Sequence, residues 1–491
     1  MTDTAIVIGA GVGGLATAIR LASLGMQVIV FEKNPVAGGK IGQIREKGYR
    51  FDTGPSLFTL PHLVDELSPE SAPGLEYRKL DTISRYFFKD KTVFDAPADP
   101  VLFTRELAKI TGENQEKITR FLNDASELYR LTSPLFIFSA FHRFSHLLTT
   151  KNLGVMAGMF KFNPFLSMHA HNRKAFERDK TIQLFDRYAT YNGSDPYKAP
   201  ATLNMIAHLE HNLGAYLPVG GIFRIVEHLY KTAVELGVVF HFEQEVDKIL
   251  MENKRAAGVI VNGKVHAADV VVSAGDVFKT WSRLISRVKV PRAVKKQDLS
   301  SSAMIFYMGI RRTYEQLELH NIFFSGNYSE EFRSLSPKEL YTPYEDPTIY
   351  IYNSSLLNPA DAPPGGSNLF VMINTPYNRG EDWDELAQKA RKHIIGKLQR
   401  HGIDLSTEIE FEQVATPASI EELSLSTAGA LYGNSSNSTM SAFNRHPNFS
   451  RKIKNLFFAG GSVHPGGGIP LCLASAKIVE QEVKSYLNIR T

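Results

Sequence analysis

Residues 4–32, TAIVIGAGVGGLATAIRLASLGMQVIVFE, carry the side chains and spacings best suited to chemistry. An apolar run, Ala5 to Ile8, leads into Gly9-x-Gly11-x-x-Gly14 and then an amphipathic stretch, and a second apolar run ends on Glu32. This is the pattern of a dinucleotide-binding βαβ unit: the first glycine allows a tight turn, the second lets backbone approach a pyrophosphate, and the third lets the helix pack on the sheet. The helix start, with Val12 and Gly13 in its first turn, offers unpaired N–H groups and a partial positive charge to phosphates. Glu32, followed by Lys33, stands where a carboxylate accepts hydrogen bonds from ribose. The alternative is a plain structural turn; strand, helix and carboxylate in register favour the nucleotide.

Two further glycine-rich segments select FAD over NAD. Val36-Ala37-Gly38-Gly39-Lys40 and then Phe51-Asp52-Thr53-Gly54-Pro55-Ser56 follow the ribose-binding strand. A second Gly-Gly with a cation suits a loop wrapping an extended FAD; the other reading is a loop with a solvated lysine. Residues 453–483 read IKNLFFAGGSVHPGGGIPLCLASAKIVEQEV. Leu456 to Ala459 is an apolar run of the buried parallel-strand kind. Gly460, Gly461, Gly467 and Gly468 supply backbone without side chains, and Ile469-Pro470 open a helix with Leu471, Ala474, Ile478 and Val483 on one stripe. A flat isoalloxazine needs close backbone approach, and a helix N-terminus stabilises negative charge on the reduced ring. His464 beside that loop either moves a proton or is a turn histidine bonded to backbone. Between these blocks, Tyr216 to Gly221 lead into a helix with Ile222, Ile225, Val226, Leu229 and Ala233 on one face. Val246 either offers its backbone to an adenine edge or is a strand core residue.

The elements that must position these residues are those of a large globular chain. With 491 residues, 43% hydrophobic and 22% charged, there is material for two or three domains. A net charge of +4 gives no support for a nucleic-acid partner. The single cysteine, Cys472, excludes an intramolecular disulfide and a thiolate metal cluster, and reads as a small buried residue on a helix. No metal site is expected. The nucleotide fold starting near residue 4 leaves no room for a signal peptide, and no apolar run of bilayer-spanning length occurs. The expected fold class is α/β (α+β overall), with a Rossmann-type FAD-binding domain built from 1–90, 214–290 and 415–491. A substrate domain would take 91–213 and 291–414. In it, 303–310, 348–354 and 369–375 suit an antiparallel sheet flooring a tunnel, and 382–401 an amphipathic helix. Residues 128–176 contain no Asp or Glu but interleave Arg130, Arg143, Lys151, Lys161, Arg173 and Lys174 with Phe136, Phe138, Phe141, Phe144, Phe160, Phe162, Phe165, Met156, Met159 and Met168. Such a segment docks on an anionic membrane surface, lines a channel for a long apolar molecule, or forms a buried helical subdomain. Asn353 to Ser355 and Tyr432 to Asn437 either meet a substrate hydroxyl or are ordinary turns.

With these blocks placed, the chain resembles the bacterial FAD-dependent carotenoid desaturases of the phytoene-desaturase type. The matching pieces are VIGAGVGGLATAIRL, VAGGK, FDTGPS, YLPVGG, DVVVSAGD (with Ala274) and FFAGGSVHPGGGIPLCLASAKIV, in family order along nearly the whole chain. The N-terminal pieces are common to many flavoprotein oxidases, so the architecture implied is flavin amine oxidase-like; the HPGGGIP block is much more specific. Phytoene desaturases read more like HPGAGIPG there. Gly467 and Leu471 resemble instead the branch acting on hydroxylated carotenoids, the 1-hydroxycarotenoid 3,4-desaturases, with phytoene desaturase as the alternative. The resemblance implies loss of two hydrogens across a C–C bond of a polyene, as hydride to FAD and a proton from the neighbouring carbon, with oxygen or a quinone as electron acceptor. Because the product's conjugation favours proton loss, no strong base is demanded, and none is assigned beyond the candidate His464. It also implies a long apolar carotenoid substrate and peripheral association with the inner face of the cell membrane, from the cytoplasm. Three rivals share the architecture: an amine or protoporphyrinogen oxidase, a flavin-dependent carotenoid isomerase, and a lipid carrier without flavin, against which the intact glycines and Glu32 speak.

Overall fold

The computed structural model describes residues 3–69, 73–143, 149–286, 288–336 and 340–489. Its nucleotide sheet has five strands in the order Leu456–Phe458, Val270–Ser273, Thr4–Ile8, Gln27–Phe31, Val239–His241. All neighbours run parallel. The central strands are apolar without alternation because both faces are covered. On one face lie the helices Val12–Ser23, Phe223–Glu235 and Ile469–Leu487, with Leu15, Ile19, Ile225, Leu229, Leu473, Ala476 and Val479 buried together. On the other, Ile6, Ile8, Phe31 and Val271 pack against a three-stranded antiparallel sheet, Val246–Glu252, Arg255–Val261 and Lys264–Ala267. Three distant chain segments thus build one sheet.

The second layer is a seven-stranded sheet in the order Ile409–Ala415, Ser302–Ile310, Ser367–Thr375, Ile349–Asn353, His320–Phe323, Thr82–Phe87, Val93–Pro97. It is mixed rather than antiparallel, because Thr82–Phe87 runs parallel to His320–Phe323. The expected domain boundary at residue 90 needs correcting: it falls inside the hairpin of Thr82–Phe87 and Val93–Pro97, and both strands belong to this sheet. Residues directly opposite on paired strands share a face. One cross-strand row is therefore Ile305, Met372, Tyr350, Ile322, Tyr86, Phe94, and the next is Tyr307, Phe370, Tyr352, His320. The opposite face carries Met304, Phe306, Met308, Leu369, Val371, Ile349 and Ile351, which pack on the helix Trp383–Arg400 through Leu386, Ala390, Ile394 and Leu398. That helix starts where Asp382 accepts a hydrogen bond from the Glu385 N–H. The face with the aromatic rows instead contributes Ile305, Tyr307, Tyr352 and Phe370 to the same core as the nucleotide sheet's helices.

Residues 100–213 form a mainly helical layer over the edge of this sheet, including Pro100–Thr111, Gln115–Phe136, Thr150–Met159 and Met168–Ala175. The basic and aromatic segment 128–176 divides in two. Phe141, Phe162 and Met168 are buried, Arg143 pairs with Glu482 and Lys161 with Glu127. Those residues are packed or neutralised, as the buried-subdomain reading has it. The large apolar groups left outside are Leu153, Met156, Phe160 and Phe165, the last two 65% and 73% exposed with ring centroids 5.8 Å apart. Phe144 lies outside the described residues.

Candidate active site

The carboxyl ends of the parallel strands meet at one crowded point. A side chain on Gly14 would collide with the Gly9 carbonyl oxygen, and a Cβ on Gly13 would sit 2.8 Å from Gly460 Cα. Ala274 completes the junction, its N–H donating to the Ile8 carbonyl at 2.9 Å. Helix Val12–Ser23 starts after Gly11 with no side-chain cap and no acidic residue in its first turn, so its amides and dipole stay open for an anion. The VAGGK loop crosses in front: Gly38 N–H donates to the Ala10 carbonyl at 2.9 Å. A Cβ on Gly11 would meet only Gly39 Cα, at 3.9 Å, among the described residues, so the space next to Gly11 is open there.

Glu32 is 6% exposed, with both oxygens turned to backbone. Its Oε2 accepts from the Ala10 N–H at 2.7 Å and its Oε1 from the Asn34 N–H at 2.9 Å. The carboxylate therefore fixes the glycine turn itself, a role that spacing alone does not reveal, while its remaining lone pairs stay available to a ribose. Lys33 reaches elsewhere, its Nζ donating to the Glu422 carbonyl at 3.1 Å. Val246 is buried in the core beside Phe31, the strand-core alternative for its side chain.

Lys40 is not the solvated lysine of the alternative reading. Its Nζ donates to the carbonyls of Ala430 at 2.9 Å and Leu431 at 2.7 Å, and burial pushes its pKa down to about 8. It ties the 430–431 segment to the Val36–Lys40 loop. Gly54 packs tightly there, since a Cβ would lie 2.6 Å from the Lys40 carbonyl oxygen. Asp52, two residues earlier, accepts from the N–H groups of Ile222 and Phe223 at 3.0 Å each and caps helix Phe223–Glu235; Arg50 braces it at 2.7 Å. Pro55 and Ser56 carry the chain onto the seven-stranded sheet, where Ser56 Oγ is 2.5 Å from the Tyr350 hydroxyl.

The C-terminal loop lies across the same mouth. Gly460 N–H donates to Ser475 Oγ at 3.1 Å, and Asn448 Nδ2 ties Ser475 Oγ to the His464 carbonyl. Gly461 packs on Gly467, where a Cβ would be 3.1 Å from Gly467 Cα, and Gly467 packs on Tyr432. Gly468, at φ +105°, is the N-cap of helix Ile469–Leu487, with Pro470 in the first turn and no side-chain cap. A Cβ there would have nothing of the described residues within 4 Å. Two side-chain-free helix starts, at Gly11 and Gly468, thus border space the protein leaves open, which fits a dinucleotide with a flat ring at one end. Cys472 follows in that first turn as a half-buried thiol whose pKa burial raises to about 11.

His464 is 1% exposed, its Nε2 is 3.0 Å from the Ser139 carbonyl, and burial holds its pKa well below the usual range. The neutral ring spends its one N–H on backbone, the turn-histidine alternative. The polar turns are likewise internally bonded: Ser354 Oγ donates to Asp361, Ser355 Oγ to Asn353 at 2.8 Å, and Ser435 Oγ to Asp298 at 2.6 Å. Asp52, Asn448, Tyr432 and Ser475 are not singled out by the sequence as site-building residues; Asp52, Tyr432 and Ser475 stand inside quoted segments, but the partners that give them their roles lie elsewhere in the chain.

A nucleotide cradle at strand ends, with a C-terminal glycine loop packed on its first helix start, defines a flavin-dependent oxidoreductase. The family described as flavin containing amine oxidoreductase matches residues 12–483, and the chain belongs to it, with FAD as its cofactor. It is 46% identical to the 1-hydroxycarotenoid 3,4-desaturase of Flavobacterium sp. (strain P99-3), over 96% of this chain and 97% of that protein. It is 32% identical to the 4,4'-diapolycopene oxygenase of Methylomonas sp, over 98% of each. Wild-type putrescine oxidase bound to putrescine superimposes with a TM-score of 0.64 over the full length of both chains at 13% identity, a likeness of fold.

The Glu32 geometry yields a direct test. Glu32→Gln turns an amide N–H₂ toward one of the two backbone N–H donors and removes the charge from both hydrogen bonds, each worth about 1.5–3 kcal/mol. Titration of purified protein with FAD, followed by flavin fluorescence, is expected to show affinity weakened by roughly ten-fold or more. Unchanged affinity would contradict a turn held by this carboxylate.

Proposed function

We propose that this chain is an FAD-dependent desaturase that introduces the 3,4 double bond into a 1-hydroxylated carotenoid. The observation carrying this reading is the 46% identity over 96% of the chain to a protein of that name, which spans both the nucleotide sheet and the seven-stranded sheet. FAD, when bound, supplies a two-electron acceptor: hydride leaves one carbon, a proton leaves its neighbour, a C=C bond forms between them, and the electrons pass on to oxygen or a quinone.

The protein's own work is binding, orientation and exclusion of water. In this reading the loop Gly9, Gly11, Val12, Gly13 and Gly14, with Gly39 opposite, holds the phosphates. Glu32 holds the ribose, with Lys33, Val246 and Ala274 at the edges of the same strand ends. Lys40, Gly54, Pro55 and Ser56 run along the cofactor toward the ring, and Gly460, Gly461, Gly467, Gly468, Ile469 and Pro470 approach the ring itself. The rows Ile305, Met372, Tyr350, Ile322 and Tyr307, Phe370, Tyr352 offer a flat apolar floor for a polyene. The FAD-binding part then comprises the chain up to the start of Thr82–Phe87 with the segments around 214–290 and 415–491, and the rest serves the substrate.

Such a substrate dissolves in lipid. Among the described residues no helix is long and apolar enough to cross a membrane. We assign membrane contact to the exposed Leu153, Met156, Phe160 and Phe165, on the cytoplasmic face.

Holoenzyme under air, in liposomes carrying either a 1-hydroxylated carotenoid or phytoene, is expected to remove two hydrogens from the hydroxylated compound with a red shift. Turnover of phytoene alone would make the chain a phytoene desaturase; gain of oxygen would place it with the oxygenases. The double variant Phe160→Ser/Phe165→Ser is expected to lower sedimentation with the same liposomes by roughly ten-fold or more, each buried phenyl being worth about 1.5–3 kcal/mol. Unchanged sedimentation would contradict this docking face.

A further inference from the structure

The aromatic rows of the seven-stranded sheet hold buried polar atoms that the protein leaves without partners. His320 is 2% exposed and directly opposite Tyr352, with the ring centroids 5.2 Å apart and nearly parallel. Its Nδ1 is 2.7 Å from the Tyr350 hydroxyl, which is 2.5 Å from Ser56 Oγ. Among the described residues its Nε2 has no hydrogen-bond partner, and neither has the Tyr352 hydroxyl. Two orphaned polar atoms on neighbouring stacked rings of one buried row are costly unless a ligand satisfies them.

Their chemistry narrows the ligand. Burial keeps the His320 ring neutral, its pKa pushed down to about 3. A neutral imidazole has one N–H, so Nε2 donates if Nδ1 accepts from Tyr350 and accepts if Nδ1 donates. A hydroxyl serves either case, and it can pair with the Tyr352 hydroxyl as donor or acceptor as well. The charges near each atom are already matched: by His320, Arg187 Nη2 donates to Glu210 Oε1 at 3.1 Å and to the Tyr86 hydroxyl at 2.8 Å, and by Tyr352, Arg50 pairs with Asp52 at 2.7 Å and with Asp361 at 3.2 Å. The region therefore suits a neutral polar group.

Position agrees with this chemistry. The row Ser56, Tyr350, His320 begins at the loop that packs on Lys40 and ends at the orphaned nitrogen. In a 1-hydroxylated carotenoid desaturated between carbons 3 and 4, the hydroxyl carbon is two carbons from the reacting bond, so the hydroxyl must bind beside the flavin. We propose that His320 Nε2 and the Tyr352 hydroxyl form the subsite for the substrate's hydroxyl, an inference that rests on the desaturase reading above. His320 positions the substrate through this group, and Ser56 and Tyr350 hold His320.

The test uses holoenzyme in liposomes and compares kcat/KM for a 1-hydroxylated carotenoid with that for the same carotenoid lacking the hydroxyl. His320→Phe keeps the stacked ring and removes both nitrogens; His320→Gln restores a polar end. Tyr352→Phe removes only an oxygen that bonds nothing among the described residues, so folding is expected to stay intact. Wild type is expected to prefer the hydroxylated substrate, His320→Phe and Tyr352→Phe to lower that preference by about ten-fold or more, and His320→Gln to recover part of it. An unmoved preference, or an equal fall on both substrates, overturns the subsite and leaves the desaturase reading standing. Wild type that desaturates neither compound overturns both.

Discussion

The whole arrangement depends on a place where no side chain fits. At the carboxyl ends of the parallel strands, Gly9, the pair Gly13-Gly14, and Gly460 bring three stretches of backbone to near van der Waals contact, with Ala274 beside them. Because Gly13 and Gly460 touch, the first helix and the C-terminal loop are held together although they come from opposite ends of the chain. The same lack of side chains leaves helix-start amides facing open space. Close packing and anion binding are thus two consequences of one constraint, and Glu32 stabilises both by holding the turn from behind.

From that junction the structure extends to a sheet with two different faces. One is sealed by the helix Trp383–Arg400 over an apolar centre of Met304, Phe306, Met308, Leu369, Val371 and Ile351. The other meets the nucleotide layer and is aromatic, with hydroxyl and imidazole groups at its margin. An apolar polyene laid on this face would be shielded from water, which strengthens every polar contact made near the reacting bond. Lys40 and Asp276 help to close the site, tying 427–431 down from two sides.

How much of this was legible in the sequence follows from the range of each interaction. The nucleotide unit was readable because strand, turn, helix and carboxylate are consecutive, and each residue type has a local reason. The strands 302–310, 349–353 and 367–375 were readable for the same reason. The hairpin at 82–97 was misassigned because its partner, His320–Phe323, is remote, and nothing in its composition names that partner. Lys40 and Glu32 were identified, but whether a charge is solvated or bonded to backbone depends on what folds over it. In 128–176 composition could not separate buried Phe141 and Phe162 from exposed Phe160 and Phe165. His320 carries no signal in the sequence, since only cross-strand register sets it opposite Tyr352.

The account's central claim is that this protein removes two hydrogens from a carotenoid and leaves the electron pair on its flavin. Anaerobic mixing of purified yellow holoenzyme with one equivalent of 1-hydroxylated carotenoid tests it most directly. The expected result is loss of the oxidised-flavin absorption together with a carotenoid product lighter by two hydrogens. A carotenoid that isomerises without change of mass, or a flavin that stays oxidised while the carotenoid is bound, would contradict it.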